Sequence, residues 1–173
     1  MPRRQIRYAV VGLGHIAQVA VLPAFGNARR NSRLAAIVSN DPVKRDELSA
    51  RYGVERAWSY EQYDACLKSG IDAVYIALPN SLHCEYAERA ARAGIHVLCE
   101  KPMAVTEDEC LRMARAARDG GVRLMVAYRL HFERANLEAI EVARSGRIGE
   151  PRLFTSTFSM PVVPGTIRVR RDT

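Results

Sequence analysis

No apolar run in this sequence is long enough to cross a bilayer. Stretches such as Ala73–Leu78 have the length of a single strand. The opening "MPRRQIRYAVVG" carries twin arginines, but its apolar part breaks at glycine within one strand length, so no secretory signal is expected. Cysteine is scarce. The four present (Cys66, Cys84, Cys99 and Cys110) form no Cys-x-x-Cys pair, which argues against a zinc ribbon or a disulfide framework. Reduced, mostly buried thiols of a cytoplasmic protein are expected instead. The four histidines share no ligand spacing, so no metal is expected. Aromatic residues make up only 7% of the chain and interleave with no basic stripe. A net charge of +7 therefore does not point to nucleic acid, and the one local cluster is Arg168, Arg170 and Arg171. Such a charge suits an anionic small ligand equally well.

What is present is a regular alternation. Short β-branched runs read as strands over Ile6–Val11, Leu34–Ser39, Ile71–Leu78, Ile95–Cys99 and Val122–Ala127. A run at 151–160 alternates as a half-exposed strand would, but no helix follows it, and it reads as the first strand of something else. Helices fill the intervals. His15–Arg29 reads as the first, Asp41-Pro42 caps and opens the next, and Gly53 closes it. Ser59 to Gln62 and Thr106 to Glu109 fit capping boxes, Asn80 or Ser81 can cap the helix between them, and Glu133–Ser145 is the last. Strands separated by helices of this length form successive βαβ units, hence an α/β fold with a doubly wound parallel sheet.

In that setting "VVGLGHIA" gains meaning. The Gly-x-Gly-x-x-Ala spacing directly follows the first strand and opens the first helix, the context that separates a dinucleotide site from a chance glycine pair. Gly12 permits the tight turn, Gly14 allows close approach of a pyrophosphate, and Ala17 lets helix and strand pack closely. The amides around His15 and Ile16 face the diphosphate. The second strand ends "IVSNDPVKR". Ser39 and Asn40 stand where an acidic residue would grip a ribose hydroxyl, and Lys44 and Arg45 follow one turn later. That set favours NADP, with NAD as the alternative.

Three further strand ends are polar: "LPNSLH" at 78–83, "CEKPM" at 99–103 and "AYRLHF" at 127–132. With the glycine motif, these segments resemble the family of glucose–fructose oxidoreductase, inositol dehydrogenase and related MocA-type sugar dehydrogenases. The pattern runs nearest to the glucose–fructose oxidoreductases. The resemblance implies a Rossmann-type domain over 1–148, with 149–173 opening a second, sheet-bearing substrate domain that this chain does not complete. It implies hydride transfer between the nicotinamide of NADP or NAD and a hydroxyl or carbonyl carbon of a sugar or polyol. Lys101 would be the catalytic residue beside the nicotinamide, followed by Pro102, commonly a cis proline. Leu78, Pro79, Asn80, His83 and Glu100 would line the nicotinamide ribose and ring. Tyr60 and Arg129 would lie near the cofactor, and Arg168 near its phosphates, although Ile167 replaces the tryptophan expected beside it. An unpaired strand near 151–160 is a template for pairing, so 151–173 is expected either to be poorly ordered or to pair between molecules, the latter giving a homo-oligomer. A nucleotide-binding module without turnover is the competing reading.

Overall fold

The first strand, β1 (Ile6–Val11), is exposed where it begins and buried over its last three residues, so its carboxyl end lies at the centre of the molecule. The computed structural model describes residues 4–159 and residue 161, in two compact units, Met1–Ala127 and Tyr128–Thr173.

The first unit is a six-stranded, wholly parallel sheet. Its strands are β1, β2 (Ser32–Val38), β3 (Arg56–Trp58), β4 (Ala73–Ile76), β5 (His96–Cys99) and β6 (Leu124–Val126). Their spatial order is β3-β2-β1-β4-β5-β6, the doubly wound arrangement whose direction reverses between β1 and β4. Six strands are present, as expected, and one of them, Arg56–Trp58, is not among the runs read as strands. With three residues, two of them exposed, β3 has no period for the eye to find. Residues 151–159 carry no strand; a strand requires a partner ladder, and among the described residues this segment has none.

Side chains alternate between two cores. Ala9, Val11, Ala36, Val38, Val74 and Ile76 face one, which is closed by α3 (Tyr63–Leu67), α4 (His83–Arg92) and α5 (Glu107–Asp119). Val10 and Ile37 face the other, closed by Leu22 of α1 (Leu22–Ala24) and Leu48 of α2 (Pro42–Tyr52). Cys66 and Cys99 belong to the first core, and burial pushes both thiols up to about 12.

Several boundaries follow the capping chemistry. The Asp41 side chain accepts the Lys44 N–H, and Gly53 ends α2 in the left-handed region at φ 64°. Thr106 and Glu109 form the reciprocal box of α5. Elsewhere the expectation is corrected. The helix expected over His15–Arg29 has a π-helical turn at Ala17–Val21, continues through α1 and stops at Phe25. Pro23 has no N–H to offer the carbonyl four residues back, and the widened turn accommodates its ring. Ser59 N–H does donate to the Gln62 side chain at 3.1 Å, yet α3 begins only at Tyr63. Asn80–Leu82 forms a 3-10 turn ahead of α4 rather than a side-chain cap.

The second unit holds a 3-10 turn at Arg129–Phe132 and α6 (Arg134–Arg144). Among the described residues no helix is long and apolar enough to cross a membrane.

Across α4 and α5, the buried Glu88 carboxylate receives Arg112 Nε at 3.1 Å and Nη2 at 2.8 Å. The Arg112 hydrogen bonds hold its carboxyl below the usual range. A carboxylate lowered in the folded state contributes fully above the ordinary glutamate range, and that contribution is lost as pH falls through the lowered value. Glu88→Gln is therefore expected to lose about 1–2 kcal/mol at pH 7. In urea melts at a series of pH values, the variant and the parent should converge on acidification.

Candidate functional site

The reversal point of the sheet is drawn tight at one contact. Gly12 has φ +93°, and a Cβ built there would lie 2.6 Å from the Ala77 carbonyl oxygen. Its N–H donates to the Val38 carbonyl at 3.0 Å, while Ala77 N–H donates to Val11 at 2.8 Å. The turn after β1 is thus bonded to β2 on one side and to β4 on the other. Only glycine meets both the dihedral and the spacing.

Gly14 differs. Nothing lies within 4 Å of the Cβ it lacks, and it is exposed. No part of the described chain requires a glycine here. The first helical bond is Gln18 N–H to the Gly14 carbonyl at 3.2 Å. The amides of His15, Ile16 and Ala17 precede it and are the orphan donors of the helix start. His15 and Ile16 are exposed, whereas Ala17 is fully buried against Val10 and Leu22. Gln18 also ties the turn by donating through Nε2 to the Leu13 carbonyl at 2.8 Å.

At the end of β2, Ser39 is buried. Its Oγ accepts the Asp41 N–H at 3.2 Å and its carbonyl accepts Arg45 Nη1 at 3.0 Å. Asn40 is exposed and spans two strand ends: its Oδ1 accepts the Tyr60 N–H at 2.7 Å and its Nδ2 donates to Glu61 Oε1 at 2.8 Å. Lys44 Nζ pairs with Asp41 at 2.8 Å. Hydrogen bonds from the Lys44 side chain and amide hold the Asp41 carboxyl below its usual range. The Tyr60 ring packs edge-on against Tyr86, 6.0 Å between centroids, and its phenol is raised by burial.

The ends of β4 and β5 meet through two side chains. His83 is fully buried, with Nδ1 2.9 Å from the Pro102 carbonyl and Nε2 2.9 Å from the Leu78 carbonyl. A neutral imidazole has one N–H and bonds one of these carbonyls; a protonated ring bonds both. The two carbonyls draw the ring inward, so that His83 braces the turns that follow β4 and β5. The second link is Tyr75, whose hydroxyl donates to Glu100 Oε1 at 2.7 Å. Leu78 is buried, Pro79, Asn80 and Glu100 are half-buried, and Lys101 is exposed. The Lys101–Pro102 bond is cis.

Two groups of the expected residues are therefore assembled. Gly12, Leu78, Pro79, Glu100 and Lys101 follow the ends of β1, β4 and β5; Ser39, Asn40 and Tyr60 follow those of β2 and β3, with Lys44 in the first turn of α2. Arg129 is exposed in the second unit, on its 3-10 turn. Arg168 lies outside the described residues. Tyr75 and Glu61 were not singled out from the sequence. Tyr75 is the one hydroxyl within an apolar strand, a signal that was available; Glu61 has none, since only the fold brings it to Asn40.

An all-parallel sheet in this order, with a glycine turn closed at its reversal point, defines a dinucleotide-binding fold. Residues 6–128 match the GFO/IDH/MocA model, the oxidoreductase family's NAD-binding Rossmann fold, and the chain belongs to that family. It is 34% identical over 160 residues to D-xylose 1-dehydrogenase [NADP(+)] of Haloarcula marismortui, covering 91% of this chain and 44% of that protein. Its fold superposes on the crystal structure of an aldose-aldose oxidoreductase from Caulobacter crescentus complexed with glycerol (TM-score 0.79, 43% identity, 83% of this chain and 43% of that one). A similar match is the open conformation of a 3-ketoreductase from Actinomadura kijaniata in complex with TDP-benzene and NADP (TM-score 0.77, 33% identity, 85% and 46% covered). The chain spans about half the length of the curated relatives it matches.

The two glycines separate fold from ligand. Gly12→Ala should lower stability by about 2–4 kcal/mol, combining left-handed strain with a backbone clash. Gly14→Ala should leave the unfolding midpoint within about 0.5 kcal/mol of the parent, as surface changes usually do, while weakening dinucleotide binding. Denaturant unfolding and calorimetric titration of both variants check this.

Proposed function

We propose that this chain is the cofactor-binding part of an oxidoreductase that uses NADP, with NAD as the alternative, on a hydroxyl or carbonyl carbon of a sugar or polyol. The observation carrying the reading is that the Gly12 turn and the Glu100–Pro102 turn flank the same reversal point of the sheet, one on each side of the β4 end. The residues fit the cofactor. The open space at Gly14 and the orphan amides of residues 15–17 suit a diphosphate. Ser39, Asn40 and Lys44 suit the adenosine ribose and a 2′-phosphate. The nicotinamide, when bound, supplies the hydride acceptor or donor.

The remaining chemistry belongs to the protein. Lys101 Nζ, exposed beside the strand ends, donates a hydrogen bond that orients the reacting oxygen; as the neutral amine it accepts that oxygen's proton when the alcohol is oxidised, becoming the ammonium, and as the ammonium it returns the proton in reduction. Pro79 and Asn80 border the same end of the sheet. Residues 1–148 form the cofactor domain, and 149–173 begin the part that completes the substrate pocket. The printed activities of the relatives, on xylose, other aldoses and a nucleotide-linked keto sugar, support a carbohydrate substrate. Because the matched relatives are about twice as long, this chain alone is expected to bind cofactor with little turnover.

Titration with NADPH and NADH tests the reading, and binding of neither would overturn it. Lys44→Glu is expected to weaken NADPH about tenfold, equivalent to 1.4 kcal/mol, with a smaller effect on NADH. Equal loss for both would remove the 2′-phosphate role of Lys44.

A further inference from the structure

We propose that Tyr75 is a positioning residue for Lys101: by holding the Glu100 carboxylate against the main chain, it keeps that carboxylate from pairing with the neighbouring ammonium. The inference rests on the reading of Lys101 given above.

Glu100 is held at three points. Its N–H donates to the Ile76 carbonyl at 2.9 Å, its Oε1 accepts the Tyr75 hydroxyl at 2.7 Å, and its Oε2 accepts the Lys101 main-chain N–H at 3.2 Å. Both carboxylate oxygens are thus occupied by donors from the protein interior and backbone. On the opposite flank, His83 Nδ1 meets the Pro102 carbonyl at 2.9 Å. Lys101 therefore lies between two residues that are each tied to the β4 side of the sheet. Its own side chain is exposed and, among the described residues, makes no hydrogen bond or ion pair.

That last fact needs a cause. A half-buried carboxylate adjacent in sequence to an ammonium on a flexible stem is an evident partner for it, and the attraction strengthens as solvent is excluded. Tyr75 supplies a competing donor at 2.7 Å, on a ring held by the sheet. Its hydroxyl keeps its proton, because burial and the bond to Glu100 both raise the phenol well above its ordinary value. Charge-assisted bonds of this kind are roughly twice as strong as neutral ones. The position of Tyr75 also fits the role. It lies on β4 in register with Leu98 of β5, and its side chain packs beside the second core, so its ring is held by the sheet and not by any ligand.

The sequence makes the test simple, because the chain has only three lysines, Lys44, Lys68 and Lys101. In lysine-selectively 13C-labelled full chain, Tyr75→Phe should move the Lys101 Cε signal and leave those of Lys44 and Lys68 in place. In the Glu100→Gln background, where no charge is released, the same Tyr75→Phe change should leave Lys101 unmoved. An unmoved Lys101 signal in Tyr75→Phe, or an equal movement in both backgrounds, would overturn the proposal. Should Tyr75→Phe fail to fold, as collapse of the Lys44 and Lys68 signals would show, Glu100→Gln alone decides: with Tyr75 present the carboxylate is already kept from the ammonium, so the Lys101 signal must stay near its parent position, and a large movement overturns the role. NADPH titration of the unsubstituted chain is separate: its failure would remove the cofactor reading while the lysine spectra still decide whether Tyr75 governs Glu100.

Discussion

The contact between Gly12 and the Ala77 carbonyl is the constraint on which the rest of this molecule depends. With only 2.6 Å available to a side chain that is not there, β1 and β4 approach closely at their carboxyl ends. That approach places the turn after β1 next to the turn after β4. The orphan amides of the first helix and the Glu100–Pro102 segment consequently open toward one end of the sheet. Parallel strands impose the geometry, since every βα turn of such a sheet lies on the same edge.

Around that contact the polar side chains divide their labour. Those nearest the core bind main chain: His83 faces Leu78 and Pro102, Ser39 caps Asp41, Gln18 ties Leu13. Farther out, Lys101 is exposed. Buried polar groups are almost always satisfied internally, and those around the turn are satisfied by main chain. Asn40 belongs to both groups, bridging β2 to the turn after β3 while still reaching solvent.

Much of this was legible in the residues. The apolar runs of β1, β4 and β5, the Asp41-Pro42 start of α2, Gly53 as its end and the Thr106–Glu109 box are local signals, and each stands where its chemistry predicts. The glycine turn was readable for the same reason. What escaped was non-local. Arg56–Trp58 is a strand only because β2 offers it a ladder, and 151–159 lacks one because no neighbour comes to it among the described residues. The resemblance placed His83 at the nicotinamide, and only the fold shows its ring nitrogens facing two carbonyls. Tyr75 lay unmarked in an apolar run because its partner Glu100 is distant in sequence.

The π-helical turn at Ala17–Val21 has its own consequence for how this chain tolerates change. A π-turn contains one residue more than the regular helix needs, and here it sits between Gly14 and Pro23. Everything on its amino side is held to the glycine turn, and everything beyond it is anchored by Leu22 in the second core. The widened turn takes up the surplus residue between those two fixed points without shifting the phase of the helix beyond it. Deleting one residue from this span would restore an ordinary pitch and keep Leu22 turned toward the core, whereas the same deletion in a regular helix would rotate everything beyond it by about 100°.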